Sequence, residues 1–242
     1  FYVLGLEMES GVQRWKHPRF CTARGESQDA YTSFLPAGIG EARVVLIYGG
    51  DCLTAHDFVT GLERWRSVGW NTTHANNWRT IASPLVMADQ VLLCTARGTR
   101  LAAVSLVKPA ADTWTPRWEH EVISSDVAIP AFQNGQVFVL HGDRRELACV
   151  DPVTGVVRWQ GSFTSDAVIR ASPTAADGRL YCVSESGEVL VFASDGFRLI
   201  SRTRLGSDGP SRASIAVAHG QVFVRTNDAL YAFQRPGIIP RP

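Results

Sequence analysis

The chain carries no excess of either charge: 24 Lys and Arg face 23 Asp and Glu across 242 residues, a formal net charge of +1. Nonspecific nucleic-acid binding needs a basic surplus, so no nucleic-acid partner is expected. At 45% hydrophobic residues intrinsic disorder is excluded as well. No apolar run reaches the roughly 18 residues that a membrane span requires. The five cysteines (21, 52, 94, 149 and 182) are odd in number and stand at no CxxC spacing. They indicate neither a disulfide framework nor a metal site, and they read as buried free thiols. Methionine and lysine are scarce, which disfavours long helices. Phe1-Tyr2-Val3-Leu4 opens in mid-strand without an initiator Met, a charged n-region or a cleavage-site pattern. A targeting signal or lipid anchor is therefore expected upstream if there is one.

What is abundant points the other way. The 21 Gly, 7 Trp and 11 Phe suit many short strands joined by tight turns, and a single all-β domain is expected at this length. One phrase recurs. Asp151-Pro-Val-Thr154-Gly155-Val-Val-Arg158-Trp159 matches Asp57-Phe-Val-Thr60-Gly61-Leu-Glu-Arg64-Trp65 at the Asp, Thr, Gly, Arg and Trp. A weaker copy runs from Glu7 through Ser10 and Gly11 to Trp15. A second series, Leu35-Pro36, Ser83-Pro84, Ile129-Pro130, Ser172-Pro173 and Ser214-Ile215, precedes five apolar strands at steps of 48, 46, 43 and 42 residues. A period in the forties with several strands per unit is the size of a propeller blade.

Within one unit a short first strand over 171–174 leads through Asp177-Gly178 into a second over 179–183. Glu185-Ser186-Gly187 then leads into a third over 189–193. Asn134-Gly135, His219-Gly220, Gly142-Asp143, Arg97-Gly98 and Asn227-Asp228 mark corresponding turns. In the Asp-x-x-Thr-Gly phrase, Asp57 and Asp151 accept backbone N–H groups, the Thr adds a hydroxyl bond, and Gly61 and Gly155 take the positive-φ position. The outer strand then places Trp15, Trp65, Trp118 or Trp159 on a fixed face to cover the neighbouring blade.

These residues resemble the tryptophan-docking repeat of PQQ-like, quinoprotein-type β-propellers, and the resemblance covers nearly the whole chain. The family includes PQQ-dependent alcohol dehydrogenases and the propeller lipoprotein of the outer-membrane β-barrel assembly machinery. The Gly-His and Trp-Asp pattern of WD repeats is missing. The resemblance implies an all-β propeller of four-stranded antiparallel blades, with about five and a half blades visible of a seven- or eight-bladed whole. Blades are expected at about 28–67, 79–120, 125–161 and 166–204, with partial ones at 1–15 and 210–233 and a tail at 234–242. Two units depart from the pattern: one ends Trp114-Thr-Pro-Arg-Trp118 without Thr-Gly, and one reads Ser194-Asp195-Gly196-Phe197 with Ile200 at the Trp position.

For function, intact blade grammar without a catalytic constellation points to a noncatalytic binding or scaffold module. Its partner would be a protein, a carbohydrate or a small ligand in the periplasm or elsewhere at a bacterial cell envelope. The alternative is a fragment of a quinoprotein dehydrogenase holding PQQ with calcium, which would need a vicinal Cys pair and a Glu/Asn/Asp cluster in missing blades. A sensor domain fused to another activity is a third possibility. No Cys-Cys, paired acid/base carboxylates or nucleophile motif occurs, so no catalytic residue, cofactor or metal ligand is assigned.

Two candidate sites follow. First strands of blades begin near the channel mouth, so Arg170 and Arg212, each three residues before its anchor, form a candidate anion-attracting patch with Arg79 and Asp126 nearby. The inter-blade loop Trp70-Asn-Thr-Thr-His74-Ala-Asn-Asn-Trp78 carries two aromatics and a His, a candidate partner surface at Trp70, His74 and Trp78. His17, His56, His120, His141 and His219 read as ordinary loop and turn residues.

Overall fold

The computed structural model describes residues 1–39, 42–107 and 115–234. Trp114 and residues 235–242 of the expected tail lie outside them. The chain divides into two compact units, Phe1–Glu119 and His120–Pro242. The first opens with a two-stranded sheet of β1 (Tyr2–Leu6) and β2 (Gln13–Pro18). A four-stranded sheet follows from β3 (Leu35–Ile39), β4 (Ala42–Gly49), β5 (Cys52–Asp57) and β6 (Glu63–Val68). A third sheet contains β7 (Leu85–Met87), β8 (Gln90–Cys94), β9 (Leu101–Ser105) and β10 (Trp118–His120).

The second unit holds a sheet of β11 (Ala131–Gln133), β12 (Gln136–His141), β13 (Glu146–Val150) and β14 (Val157–Ser162). The next contains β15 (Thr174–Ala176), β16 (Arg179–Val183), β17 (Glu188–Ala193) and β18 (Leu199–Arg204). The last is three-stranded: β19 (Ala216–Ala218), β20 (Gln221–Arg225) and β21 (Leu230–Gln234). Consecutive strands pair antiparallel within each sheet, so the chain is an all-β propeller built of four-stranded blades. The helical content of the described residues is two short 3-10 turns, Gly25–Gln28 and Ala96–Gly98.

Local chemistry accounts for the meander. The hairpins between first and second strands turn on Asn134-Gly135, Asp177-Gly178 and His219-Gly220, where both central residues have positive φ, from 48° to 73°. That is the two-residue turn whose twist matches the flanking strands. Second and third strands are the core: β5 and β8 are buried along their whole length, whereas outer strand β18 is exposed throughout. In the second unit the first strands β11, β15 and β19 lie against one another in sequence, which makes them the inner strands.

One expected boundary is corrected. The first strand of the β15–β18 sheet starts at Thr174, not Ala171. Ser172 is engaged elsewhere: its hydroxyl accepts the Ile129 N–H at 2.9 Å, and its own N–H goes to the Ser214 hydroxyl at 3.1 Å. Pro173 has no N–H to give a ladder. Ser83 accepts the Ser33 N–H at 2.9 Å in the first unit. The recurring Ser-Pro phrase is thus a clasp between successive blades rather than part of a strand.

Candidate functional site

The repeated phrase builds the junctions between blades. Asp57 Oδ1 accepts the N–H groups of Val59 (3.0 Å) and Thr60 (2.8 Å) and the Thr60 hydroxyl (3.0 Å), while Oδ2 binds the Arg64 guanidinium. Asp151 does the same with Val153, Thr154 and Arg158. Donors aimed at the ionised form hold both carboxyls low. Arg64 is the largest influence at Asp57. At Asp151 the Thr154 N–H comes first and Arg158 next, and its pKa lies at about 2. Gly61 and Gly155 have φ of 73° and 75°.

Strand register then fixes the tryptophans. Trp15 stands opposite Gly5, Trp65 opposite Ala55 and Trp159 opposite Cys149, so each indole lies across from a small residue. The Trp15 ring covers Gly61, where a Cβ would come within 2.3 Å of it. Trp159 Nε1 donates to the Ser194 carbonyl at 3.3 Å, and its ring packs between Phe138 and Phe197 at centroid distances of 5.9 and 6.3 Å. Trp65 is 8% exposed within the core of its unit, and Trp118 is half-buried.

The β15–β18 sheet departs from this pattern, and not where the sequence spacing indicates. Ser201, not Ile200, pairs with Val191, the register position that Cys149 holds opposite Trp159. The turn explains the difference. The Ala193 N–H bonds to the Arg198 carbonyl as the Asp151 N–H bonds to Val156, so Gly196 falls one place ahead of Gly155 and does not mark the same position.

The histidines are also reassigned. His17, His56, His120 and His141 lie in strands, and only His219 is a turn residue. His17 Nε2 donates to the Thr60 carbonyl at 2.9 Å and His120 Nε2 to the Gly155 carbonyl at 2.6 Å. Both secure the repeated turn, and both follow a Trp by two positions, a Trp-x-His signal legible in two copies of the repeat. His56 is 1% exposed; its Nδ1 donates to the Gly61 carbonyl, and its Nε2 meets the Thr54 hydroxyl. Thr54 also receives the Nε–H of Arg19, a buried guanidinium whose Nη2 reaches the Gly49 and Cys52 carbonyls. Burial pushes the His56 pKa below its ordinary value.

Among the candidate channel-mouth residues, three arginines meet carboxylates. Arg170 pairs with Asp143 and Arg212 with Glu185, both at 2.7 Å, and Arg79 reaches Glu26 at 3.1 Å. Asp126 is half-buried. These pairs join the segment before a first strand to the turn of the preceding blade in the second unit, and an incoming anion would have to displace them. In the candidate partner loop, His74 is exposed, and Trp78 is half-buried with its N–H held by Ser27 Oγ at 2.8 Å. Trp70 is removed from that surface: it is 6% exposed inside the core of the first unit, with the Arg100 guanidinium 5.0 Å from its ring centre. A large apolar ring at a junction of two sheets gains more from burial than from exposure.

The donors that PQQ and calcium would need do not fit these residues. Four of the five cysteines are buried strand residues, with Cys149 raised to about 11 and Cys182 to about 12 by burial. No cluster of three or more His, Cys, Asp or Glu able to hold a metal occurs among the described residues. No helix of the described residues is long and apolar enough to cross a membrane.

Comparison with known proteins bears out the architecture. BamB from Moraxella catarrhalis superimposes with a TM-score of 0.69 at 15% identity, over 96% of this chain and 66% of that one. Sqt1 of Saccharomyces cerevisiae gives 0.62 at 11% identity, over 97% of this chain and 66% of that one. Hsv2 of Kluyvelomyces marxianus gives 0.54 at 12% identity, over 81% and 61%. The chain thus spans just under two thirds of the length of these structures, and at such identities the likeness is one of fold. No curated protein matches in sequence. Residues 104–236, more than half of the chain, match the family profile described as "Outer membrane protein assembly factor BamB". With its PQQ-like repeat and its propeller blades, the chain belongs to that family.

Proposed function

We propose that the chain is a noncatalytic binding propeller that engages a protein partner at a bacterial cell envelope, in the assembly of outer-membrane proteins. The observation that carries this reading is the match of residues 104–236 to the assembly-factor profile. It is supported by how the repeat spends its chemistry, since the repeated Asp, Thr, Arg, His and Trp side chains hold turns and blade junctions. The Trp-to-turn contacts are the docking device of this repeat. His74 and Trp78, and the paired Arg79, Arg170 and Arg212 with Asp126, remain the candidate contact surfaces.

The test is retention of the purified chain on an immobilised β-barrel assembly machinery from the organism that encodes it. Saturable retention is expected. Absence of retention, together with dye-linked alcohol oxidation after reconstitution with PQQ and calcium, would overturn the reading in favour of a dehydrogenase.

A further inference from the structure

In the second unit a cleft of about 710 Å³ opens between the β15–β18 and β19–β21 sheets, and the register shows what it lacks. At the preceding junction the row Ala131, Phe138, Cys149, Trp159 faces the row Ala175, Leu180, Phe192 of the next sheet. The indole of Trp159 lies on Phe138 and closes that junction. One blade later the equivalent rows are Thr174, Tyr181, Val191, Ser201 and Val217, Val222, Phe233. Tyr181 takes the place of Phe138, Val222 of Leu180 and Phe233 of Phe192, yet Ser201 supplies no ring. The cleft is lined by these same residues, Tyr181, Val217, Val222 and Phe233, and Phe233 is left 42% exposed. It is large enough for an indole.

Polar groups at the rim restrict what enters. Arg179 and Asp177 both line the cleft. Among the described residues Arg179 makes no ion pair, unlike Arg170 and Arg212. Asp177 offers an acceptor for an indole N–H, the part the Ser194 carbonyl plays for Trp159, and Arg179 offers a donor for a neighbouring carboxylate. An aromatic anchor in a pocket with a polar rim is the arrangement of an interaction hot spot.

We propose that this cleft receives a tryptophan side chain from an acidic, extended segment of a partner protein, which completes from outside a junction of the kind that Trp159 closes one blade earlier. The proposal rests on the reading of the chain as a protein-binding propeller and names one of its contact sites. The probe is N-acetyl-Asp-Trp-amide, titrated into the full chain while the methyl resonances of Val217 and Val222 are followed by NMR, with N-acetyl-Asp-Ala-amide as control. Saturable shifts with a dissociation constant on the order of 1 mM are expected for the Trp peptide alone. Arg179→Ala should weaken binding roughly fivefold. Ser201→Trp, which fills the cleft from within, should abolish it, and Val217→Phe does so from the opposite wall should Ser201→Trp not fold.

Three results overturn the proposal. One is no saturable shift. The second is binding only by a chain ending at Gln234, which makes residues 235–242 the occupant. The third is a concentration-dependent dimer that Ser201→Trp dissociates, which makes a second copy the occupant. Because the assembly machinery is not in the assay, failure here leaves its retention test standing, and failure there leaves this one standing.

Discussion

At the scale of single residues, the chemistry of this chain is concentrated in one turn. Asp151 keeps its charge because two backbone N–H groups and Arg158 all address the ionised carboxylate. Its pKa is about 2 against an ordinary 3.8, so the folded state binds the proton less tightly than the unfolded one. Stability from this group is complete above the ordinary value and is lost as pH falls through about 2. Asp151→Asn should therefore lower the melting temperature at pH 7, and the gap to the natural protein should close as the pH approaches 2. A gap that stays constant down to that pH contradicts the account. Gly61 carries two demands at once, a positive φ and the overlying Trp15 ring. Gly61→Ala should cost roughly 2–4 kcal/mol in urea unfolding, from backbone strain and overpacking together. The Asp, Thr and Gly of this turn are legible in the sequence because the bonds span three residues. His56 was not, because its partners Thr54, Gly61 and Arg19 converge only once β5 is paired.

At the scale of elements, the outer strands β2, β6 and β14 carry their rings to the next sheet, and the Ser-Pro segments tie neighbouring blades through backbone N–H groups held by serine hydroxyls. Trp159→Ala removes contacts with Phe138, Phe197 and the Ser194 carbonyl. It is expected to cost about 3–5 kcal/mol, the range for large aromatics, and a cost below about 1 kcal/mol would show that the ring does not hold the junction. Ser172→Ala orphans the Ile129 N–H and should cost about 1–3 kcal/mol by chemical denaturation, with the slope unchanged. Strands two and three of each blade were readable from their apolar runs. The short first strands were not, because Ser172 and Pro173 serve a neighbouring blade and their role has no local period. The Trp position of the β15–β18 sheet was misplaced by one residue for a similar reason: spacing from a glycine counts residues, whereas the paired strands count ladder positions, and the two differ by one across this turn.

At the scale of the whole molecule, buried histidines should set the response to acid. His56 and His141 are both pushed below the ordinary 6.5 chiefly by burial. Arg19 and Arg66 add to this at His56 while Glu63 opposes it, and Arg144 adds to it at His141 while Asp143, Glu146 and Asp126 oppose it. The fold favours neutral rings, so stability is complete above 6.5 and declines as pH falls below it. The melting temperature is expected to drop by a few degrees between pH 7.5 and pH 5, and His56→Gln should flatten that slope; an equally steep slope in the variant refutes the assignment.

The sequence alone determined the repeat, its period, the turn chemistry and the outer-strand tryptophans, and through them the propeller class and its family. All of these are written within a few tens of residues, so composition and spacing record them. Tertiary structure decided where Arg170 and Arg212 find their carboxylates, why Trp70 is core rather than surface, and why a cleft remains between Tyr181 and Phe233. Those outcomes depend on which row of one sheet meets which row of the next, and that is set by ladder register and packing between residues distant along the chain.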